Sequence, residues 1–349
     1  MSFRMFSYFC QLSGMVRLLD TFCEKNNLKT PVNHRYDLDD RIIFHRWLKK
    51  LKYVDQQYKK EGLGLEIAKL TNNNHLGVSV YIAAACPNLK SYVQLPRQYI
   101  SIWYDYVYKD VHFNEHDLVV SWAKPAYYAA GLHVKETAIS EELQVAIIYK
   151  RLSAFIGESD KVFTHVELAI PKPKNVKLYE EYFDCPVTFN AERTSFKIPK
   201  QILEMPWVTE DAMLLHILKE PAETIFNKMP KHTAFLENVN QAIIKSINAH
   251  DPKVNIVAGY LNMSTRVLQI TLKEHNIRFQ DLLTAVRFTL AKQYLLDGKT
   301  NILEIAILLG YQEQTSFNRA FKSWTSYSPM RWRDLYLKNI ENRDDGLIE

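Results

Sequence analysis

The sequence is poor in cysteine. Its four copies, Cys10, Cys23, Cys86 and Cys185, are scattered, and no two of them form a CxxC pair. That spacing carries no zinc-ligand signature and no disulfide framework, and the simple expectation is a reducing, cytoplasmic location. Long apolar runs are missing as well. No stretch of about 18 uncharged apolar residues occurs, so no membrane span and no membrane partner are expected. The N-terminal MSFRMFSYFCQLSGMV has an apolar character, but polar residues interrupt it and no clear small-residue cleavage site follows, so it is not read as a signal peptide. The sequence also lacks a GxGxxG turn, a P-loop and a GxSxG nucleophile elbow. His112 and His116, with Glu115 and Asp117 beside them, have helical spacing in a stretch that reads as loop or strand, which fits a solvated cluster better than a metal site. His133 and Glu136 make no credible catalytic pair. No enzyme activity, catalytic residue, metal or cofactor is therefore expected.

What remains is ordinary for a folded protein: 47% of the residues are hydrophobic and 24% charged. A chain of 349 residues has room for about two domains. The net charge of +5 is unevenly spread. Residues 235–340 hold 13 Lys/Arg against 8 Asp/Glu, and the tail 341–349 holds one Arg against four acids. A mildly basic C-terminal part permits a polyanionic partner without requiring one.

The pattern along the chain changes once. Residues 38–60 sort into helical faces, with Asp39 and Asp40 at the start. YISIWYDYVY at 99–108 and HDLVVSWA at 116–123 read as strands, and ISEELQVAIIYKRLSAFIG at 139–157 as a helix capped by Ser140 and closed by Gly157. VFTHVELAI at 162–170 is a further strand, and 187–198 reads as a hairpin turning near Asn190–Glu192. Strand signals vanish after about 210, the segment 220–235 contains Pro221 and Pro230, and everything from 235 onward reads as helix. The expected architecture is an α+β regulatory domain over 1–220, a linker over 221–234, an all-α domain over 235–340 and an acidic tail over 341–349.

The all-α part repeats one layout. In NILEIAILLGYQEQTSFNRAFKSW, Ile302, Ile305, Ala306 and Leu309 form one apolar face and Gly310 stands where a left-handed helix cap is wanted. In the next helix Phe317, Phe321 and Trp324 point inward, and Thr315, Asn318, Arg319 and Lys322 form an outward stripe. A looser copy lies at 255–279. Ile256, Val257, Tyr260 and Leu261 form the buried face, Asn262-Met263-Ser264 the turn and Ser264 the N-cap. Val267, Leu268 and Leu272 then face inward, and Thr265, Arg266, Gln269 and Lys273 face out. A long helix with Leu283, Val286, Leu290 and Tyr294 as its stripe joins the copies and stops at Gly298. A short helix, a tight turn and a helix with a hydrogen-bonding outer face make a helix-turn-helix, whose second helix fits a major groove about 12 Å wide. A single such stripe is equally a solvated helix face. Two copies on a rigid connector match successive major-groove faces about 34 Å apart.

With both copies in view, the last hundred residues resemble the DNA-binding domain of the AraC/XylS family of bacterial transcription regulators. The resemblance is carried by Ile302, Ile305-Ala306, Leu309-Gly310-Tyr311, Ser316-Phe317, Arg319-Ala320-Phe321-Lys322, Trp324, Ser328-Pro329 and Arg333, and in the first copy by Val257-Ala258, Leu261, Met263-Ser264, Arg266, Leu268-Gln269, Leu272 and Arg287. It implies two helix-turn-helix motifs joined by a helix, with DNA contacts from Ser264, Thr265, Arg266, Gln269, Lys273, Gln314, Thr315, Ser316, Asn318, Arg319 and Lys322. The sequence departs from the family pattern at Ile270, where an arginine is usual, and at Ser326 and Asn276, which replace glycines. GLGLEIA at 62–68, HLG at 75–77 and VELAIPKPKNVKLYEEYFDCPVTFN at 166–190 are similar to the arabinose-binding-like regulatory domain of one branch of the family, with Asp184 in place of a usual glycine. That resemblance implies a sensor domain and does not make arabinose the ligand.

Together these readings describe a sequence-specific DNA-binding transcription regulator whose promoter binding answers to a small-molecule effector. Its expected partners are double-stranded promoter or operator DNA, an unknown small-molecule effector, RNA polymerase and, by the resemblance, a second copy of the chain, although no coiled-coil heptad supports dimerisation. Trp103, Tyr104, Tyr106 and Tyr108 either line the effector pocket or fill a core. Cys185 before Pro186 reads as a structural thiol. The competing readings are an enzyme or repair module fused to a DNA reader, which needs a reactive cysteine, and a protein–protein adaptor whose helices never meet DNA.

Overall fold

The computed structural model describes residues 10–32, 41–95, 109–123, 128, 133–157, 161–227, 234–275 and 277–335. The aromatic run Trp103, Tyr104, Tyr106 and Tyr108, Asn276 and the acidic tail 341–349 lie outside the described residues. Two compact units emerge, an N-terminal one built from residues 10–123 and 133–227 and a C-terminal one built mainly from 234–335.

The N-terminal unit is α+β. It opens with β1 (Cys10–Leu12) paired antiparallel to β2 (Arg41–Ile43), with α1 (Ser13–Lys25) between them in sequence and α2 (Phe44–Tyr58) after them. Short helices α3 (Leu63–Ala68), α4 (Val78–Ala85) and α5 (Leu89–Gln94) follow. A five-stranded sheet comprises β3 (Asp110–Phe113), β4 (Asp117–Ala123), β5 (His165–Leu168), β6 (Val187–Phe189) and β7 (Arg193–Pro199), in the order β3-β4-β7-β5-β6. All neighbours are antiparallel except β5 and β6. The helices α6 (Val134–Ile156), α7 (Lys177–Phe183), α8 (Lys200–Leu203) and α9 (Ala212–Asn227) complete the unit.

Four sequence expectations change here. Residues 41–43, read within a helix over 38–60, pair as β2 with β1, and that helix begins at Phe44. Residues 187–198 do not form a hairpin: β6 and β7 are separated in the sheet by β5, which pairs with both. Asn190 does turn the chain, at φ 59, but its N–H and that of Ala191 bond back to Ile170 and Leu168 rather than across a two-strand ladder. The helix expected from residue 139 begins at Val134, so Ser140 is interior and buried and accepts a hydrogen bond from Trp47 Nε1 at 3.1 Å instead of capping a terminus. Residues 221–227, expected as linker, are the end of α9. Pro221 is tolerated inside this helix, and Ala222 is fully buried against Ile82, with Leu215 and Leu218 packed around them.

The centre of α6 is polar and buried. Glu141 Oε2 accepts hydrogen bonds from Trp122 Nε1 at 2.7 Å and Thr194 Oγ1 at 2.9 Å. Glu142 accepts from the Tyr179 hydroxyl at 2.6 Å and from the Gly64 N–H at 3.2 Å. Gly64 lets α3 lie directly on α6: a Cβ there would sit 2.6 Å from Glu142 Cβ and from the Ile139 carbonyl oxygen.

The C-terminal unit is all helical: α10 (Ala234–Asn248), α11 (Val254–Tyr260), α12 (Thr265–Glu274), α13 (Phe279–Asp297), α14 (Ile302–Leu308) and α15 (Gln314–Thr325). Its core includes Val239, Ile243, Ile247, Val257, Leu268, Leu272, Leu282, Leu290, Ile305, Phe317 and Phe321, each exposed by 1% or less.

Glu142 yields a pH prediction. Burial raises its carboxyl from 4.5 to about 7, against the opposing bonds from Tyr179 and Gly64. The folded chain therefore holds the proton more tightly than the unfolded one, and stability falls as pH rises from about 4.5 to about 7. Glu142→Gln is expected to flatten this decline in the urea midpoint of the full chain, whatever its uniform cost. Equal pH slopes in variant and parent would contradict the assignment.

Candidate functional site

Each of the two outward helices of the C-terminal unit follows a short helix through the same tight cap. α11 ends with Asn262 in the left-handed region at φ 53, and Met263 N–H reaches back to the Ala258 carbonyl at 2.9 Å. α14 ends with Gly310 at φ 71, and Tyr311 N–H reaches back to the Ala306 carbonyl at 2.9 Å. This six-to-one bond satisfies a carbonyl that the helix end leaves open, and Asn and Gly are the residues that tolerate the required backbone. α12 is then capped by Ser264, whose Oγ accepts from Val267 N–H at 3.2 Å. α15 starts at Glu313, which lacks a side-chain cap and instead accepts from Thr315 Oγ1 at 3.0 Å.

Arg287 of the connector α13 fixes the second turn. Its Nε donates to the Leu309 carbonyl at 2.9 Å and its Nη2 to the Gly310 carbonyl at 3.0 Å, while the guanidinium lies 4.2 Å from the centre of the Tyr311 ring.

The expected contact residues divide by exposure. On α12, Arg266, Gln269 and Lys273 are exposed, as is the cap Ser264, and Thr265 is half-buried. On α15, Thr315, Arg319 and Lys322 are exposed, while Gln314, Ser316 and Asn318 are half-buried. Asn318 sits at the edge of the stripe, its Oδ1 buried without a hydrogen-bond partner. Arg319 Nη2 lies 3.5 Å from Ser316 Oγ. Val267, expected inward, is 46% exposed, because Leu268 and Leu272 alone supply the buried seam of α12. Tyr260, expected in the buried face of α11, is 38% exposed, with Lys245 Nζ 4.5 Å from its ring centre. Counted from the two caps Ser264 and Glu313, Ile270 occupies the position that Arg319 fills on α15, and Ile270 is 49% exposed. The first outward face therefore mixes two cations and a glutamine with two bare aliphatic side chains.

The N-terminal unit contains a cavity of about 100 Å³ that opens to solvent. Apolar side chains from α4, β4, α6 and β7 dominate its wall, among them Val80, Leu118, Leu152 and Phe196, and Lys109, Arg151 and Trp207 join them. No periodic signal in the sequence marks these residues, because they come from stretches more than a hundred residues apart. Elsewhere in the unit Cys23, Cys86 and Cys185 are buried free thiols, each pushed up to about 11 by burial. His112 and His116 are exposed, and among the described residues no group of three His, Cys, Asp or Glu side chains converges as a metal ion would need.

Two known families match parts of this chain. The helix-turn-helix domain family matches residues 257–334, and the N-terminal arabinose-binding domain of AraC transcription regulators matches 37–207. The ornithine utilization regulator of Pseudomonas aeruginosa is 26% identical over 190 residues, covering 54% of this chain and 56% of that protein. The HTH-type transcriptional regulator VirS of Mycobacterium tuberculosis is 26% identical over 155 residues, covering 44% of this chain and 45% of its own length. The chain thus spans about half the length of these curated relatives. The crystal structure of the transcriptional regulator CdpR from Pseudomonas aeruginosa aligns over 93% of this chain and 99% of its own with a TM-score of 0.44 at 17% identity.

Ser326 ends α15 in the left-handed region at φ 67, with its N–H bonded to the Lys322 carbonyl at 2.8 Å. A side chain there costs about 1 kcal/mol relative to glycine. Ser326→Gly is expected to raise the melting temperature of the C-terminal unit by a few degrees, roughly 2–5 °C, in a thermal scan. An unchanged or lower value would show that the serine carries no strain.

Proposed function

We propose, from the matches to both AraC-type domains, that the chain is an AraC-type transcription regulator, a sequence-specific DNA-binding protein whose promoter binding is controlled by a small molecule held in the N-terminal unit. The observation that carries the proposal is the repeated turn. Two short helices end in the same six-to-one cap, and each launches a helix whose exposed side carries an arginine and a lysine, Arg266 with Lys273 and Arg319 with Lys322. Arginine pairs bidentately with guanine and glutamine with adenine, and lysine neutralises phosphate.

In this reading α12 and α15 enter neighbouring stretches of major groove, and α13 sets their separation. Ser264, Thr265, Gln314 and Ser316 lie near the helix starts, where N–H groups and hydroxyls suit phosphate oxygens. Asn318 reaches the duplex only by turning its amide out of its half-buried position. The effector biases an equilibrium between arrangements that differ in DNA affinity. The protein works in the cytoplasm, acts at promoters with RNA polymerase and pairs with a second copy of itself, and it performs no catalytic step. Among the described residues no helix is long and apolar enough to cross a membrane. The buried thiols, raised well above the neutral range, do not support a cysteine-dependent repair module.

Two substitutions test the proposal on duplexes selected from a random pool by the full chain. Arg319→Ala is expected to lose about 1–3 kcal/mol of discrimination at one base pair. A uniform loss with a shallower salt slope would reassign Arg319 to phosphate, and unchanged affinity would refute its place in the interface. Ile270→Arg puts on α12 the side chain that α15 carries at the same step. It is expected to tighten binding and to steepen the salt slope by about 1; weaker or unchanged binding would mean that α12 does not face the duplex as α15 does.

A further inference from the structure

Donors predominate among the described polar side chains of the cavity in the N-terminal unit. Among the described residues, the polar side chains that line it, apart from Ser79 and the Tyr92 hydroxyl, are Lys109, Arg151 and Trp207, all donors, and none is Asp, Glu, Asn or Gln. Two donor atoms are buried without a hydrogen-bond partner, Nε of the half-buried Arg151 and Nε1 of Trp207. Trp207 is only 3% exposed. Both side chains flank the same ring, with the Arg151 guanidinium 5.2 Å and the Trp207 ring 4.7 Å from the centre of Phe155. The two side chains with unmet donors therefore pack beside one ring, Phe155, in a wall that is otherwise mostly aliphatic and aromatic.

An orphaned buried donor is costly, and a guanidinium in such a place is best compensated by an anion that accepts from it. A sugar fits poorly, because its hydroxyls need acceptors as well as donors and this wall supplies few acceptors. A cationic ligand meets the Arg151 guanidinium with no acidic side chain among the described lining residues. An apolar ligand without a head group fills the space and leaves both donors unmet.

We propose that this cavity binds an organic carboxylate with an apolar body, its head group taking hydrogen bonds from Arg151 and Trp207 beside Phe155 and its body lying against Val80, Leu118, Leu152 and Phe196. Lys109 also stands in the wall, its ammonium 5.6 Å from the Trp122 ring centre. The inference rests on the reading of the N-terminal unit as the effector domain and names the chemistry of the effector.

The test is calorimetric titration of the full chain with octanoate and 4-phenylbutyrate, with octanol, octylamine and L-arabinose as comparisons. Saturable binding of at least one acid, about tenfold or more tighter than any comparison compound, is expected. Trp207→Phe keeps the ring and removes the donor, and Arg151→Gln keeps most of the stem and removes the charge. Each should weaken the acid by about tenfold and leave octanol unchanged. The inference is overturned if neither acid binds, if octanol, octylamine or arabinose binds as tightly as the acids, or if both variants, folded by circular dichroism, bind the acids like the parent. Duplex affinity measured on the same preparation stands or falls separately: a chain that binds selected DNA but no acid keeps the regulator reading and loses this one.

Discussion

The N-terminal unit depends on two adjacent buried carboxylates. Successive residues of an α-helix point about 100° apart, so Glu141 and Glu142 send their acceptors to different sides of α6. Glu141 takes donors from β4 and β7, through Trp122 and Thr194, and Glu142 takes donors from α7 and α3, through Tyr179 and Gly64. One residue earlier Ser140 receives the indole of Trp47 from α2. Five elements are thus oriented by three consecutive residues. Each bond contributes modestly when made, but a partner left unsatisfied in this interior costs about 1–3 kcal/mol. Such an arrangement favours one packing over its near neighbours. About three to four turns further along, the same helix supplies Arg151, Leu152 and Phe155 to the cavity wall, so the polar centre also sets where the unmet donors stand.

In the C-terminal unit the corresponding constraint is a single guanidinium. Helix ends leave carbonyls without partners, and Arg287 satisfies two of them at the turn between α14 and α15 while lying over Tyr311. The connector therefore does more than span a distance, because it holds the second turn directly. Gly310 suits this place on two counts: its φ of 71 is in the left-handed region, and an added Cβ would come 3.2 Å from Pro252 and 3.5 Å from the Arg287 guanidinium. The outward face of α15 is then aimed by the inward packing of Phe321 against Phe288, Trp324 and Trp332 and of Phe317 against Phe321 and Tyr311.

How much of this was legible in the chain follows from how local each feature is. The helices of the C-terminal unit, their stop residues and most of the outward stripe were readable, because a 3.6-residue period and a left-handed cap are properties of ten or so neighbouring residues. Arg266 and Arg319 stand exposed where the period placed them. Val267 was misplaced because an apolar residue beside a buried seam looks the same in sequence as one within it. The insertion of β5 between β6 and β7 was not legible, since strand order is decided by packing across the sheet and the chain offered a turn residue, Asn190, where a hairpin would have had one. Ser140 misled for the opposite reason: a serine followed by acids matches a helix start, yet those acids are the buried centre of the helix. The cavity left no local trace at all, and the aromatic run nominated for it lies outside the described residues.

The sheet order also bears on how the protein is made. β4 is buried along almost its whole length, and its partner β7 pairs Lys197 with Val119 and Phe196 with Val120. A ribosome emitting about 5–20 residues per second needs roughly 4–15 s between the two. During that interval Leu118, Val120 and Trp122 have no inner neighbour in the sheet, and α6 emerges with its acids before Tyr179 and Thr194 exist to meet them. The C-terminal unit has no such delay, because its turns close on residues at most a few dozen positions away. The nascent chain thus has a vulnerable window confined to its first half, in which chaperone capture or mispairing of an exposed strand competes with completion of the sheet.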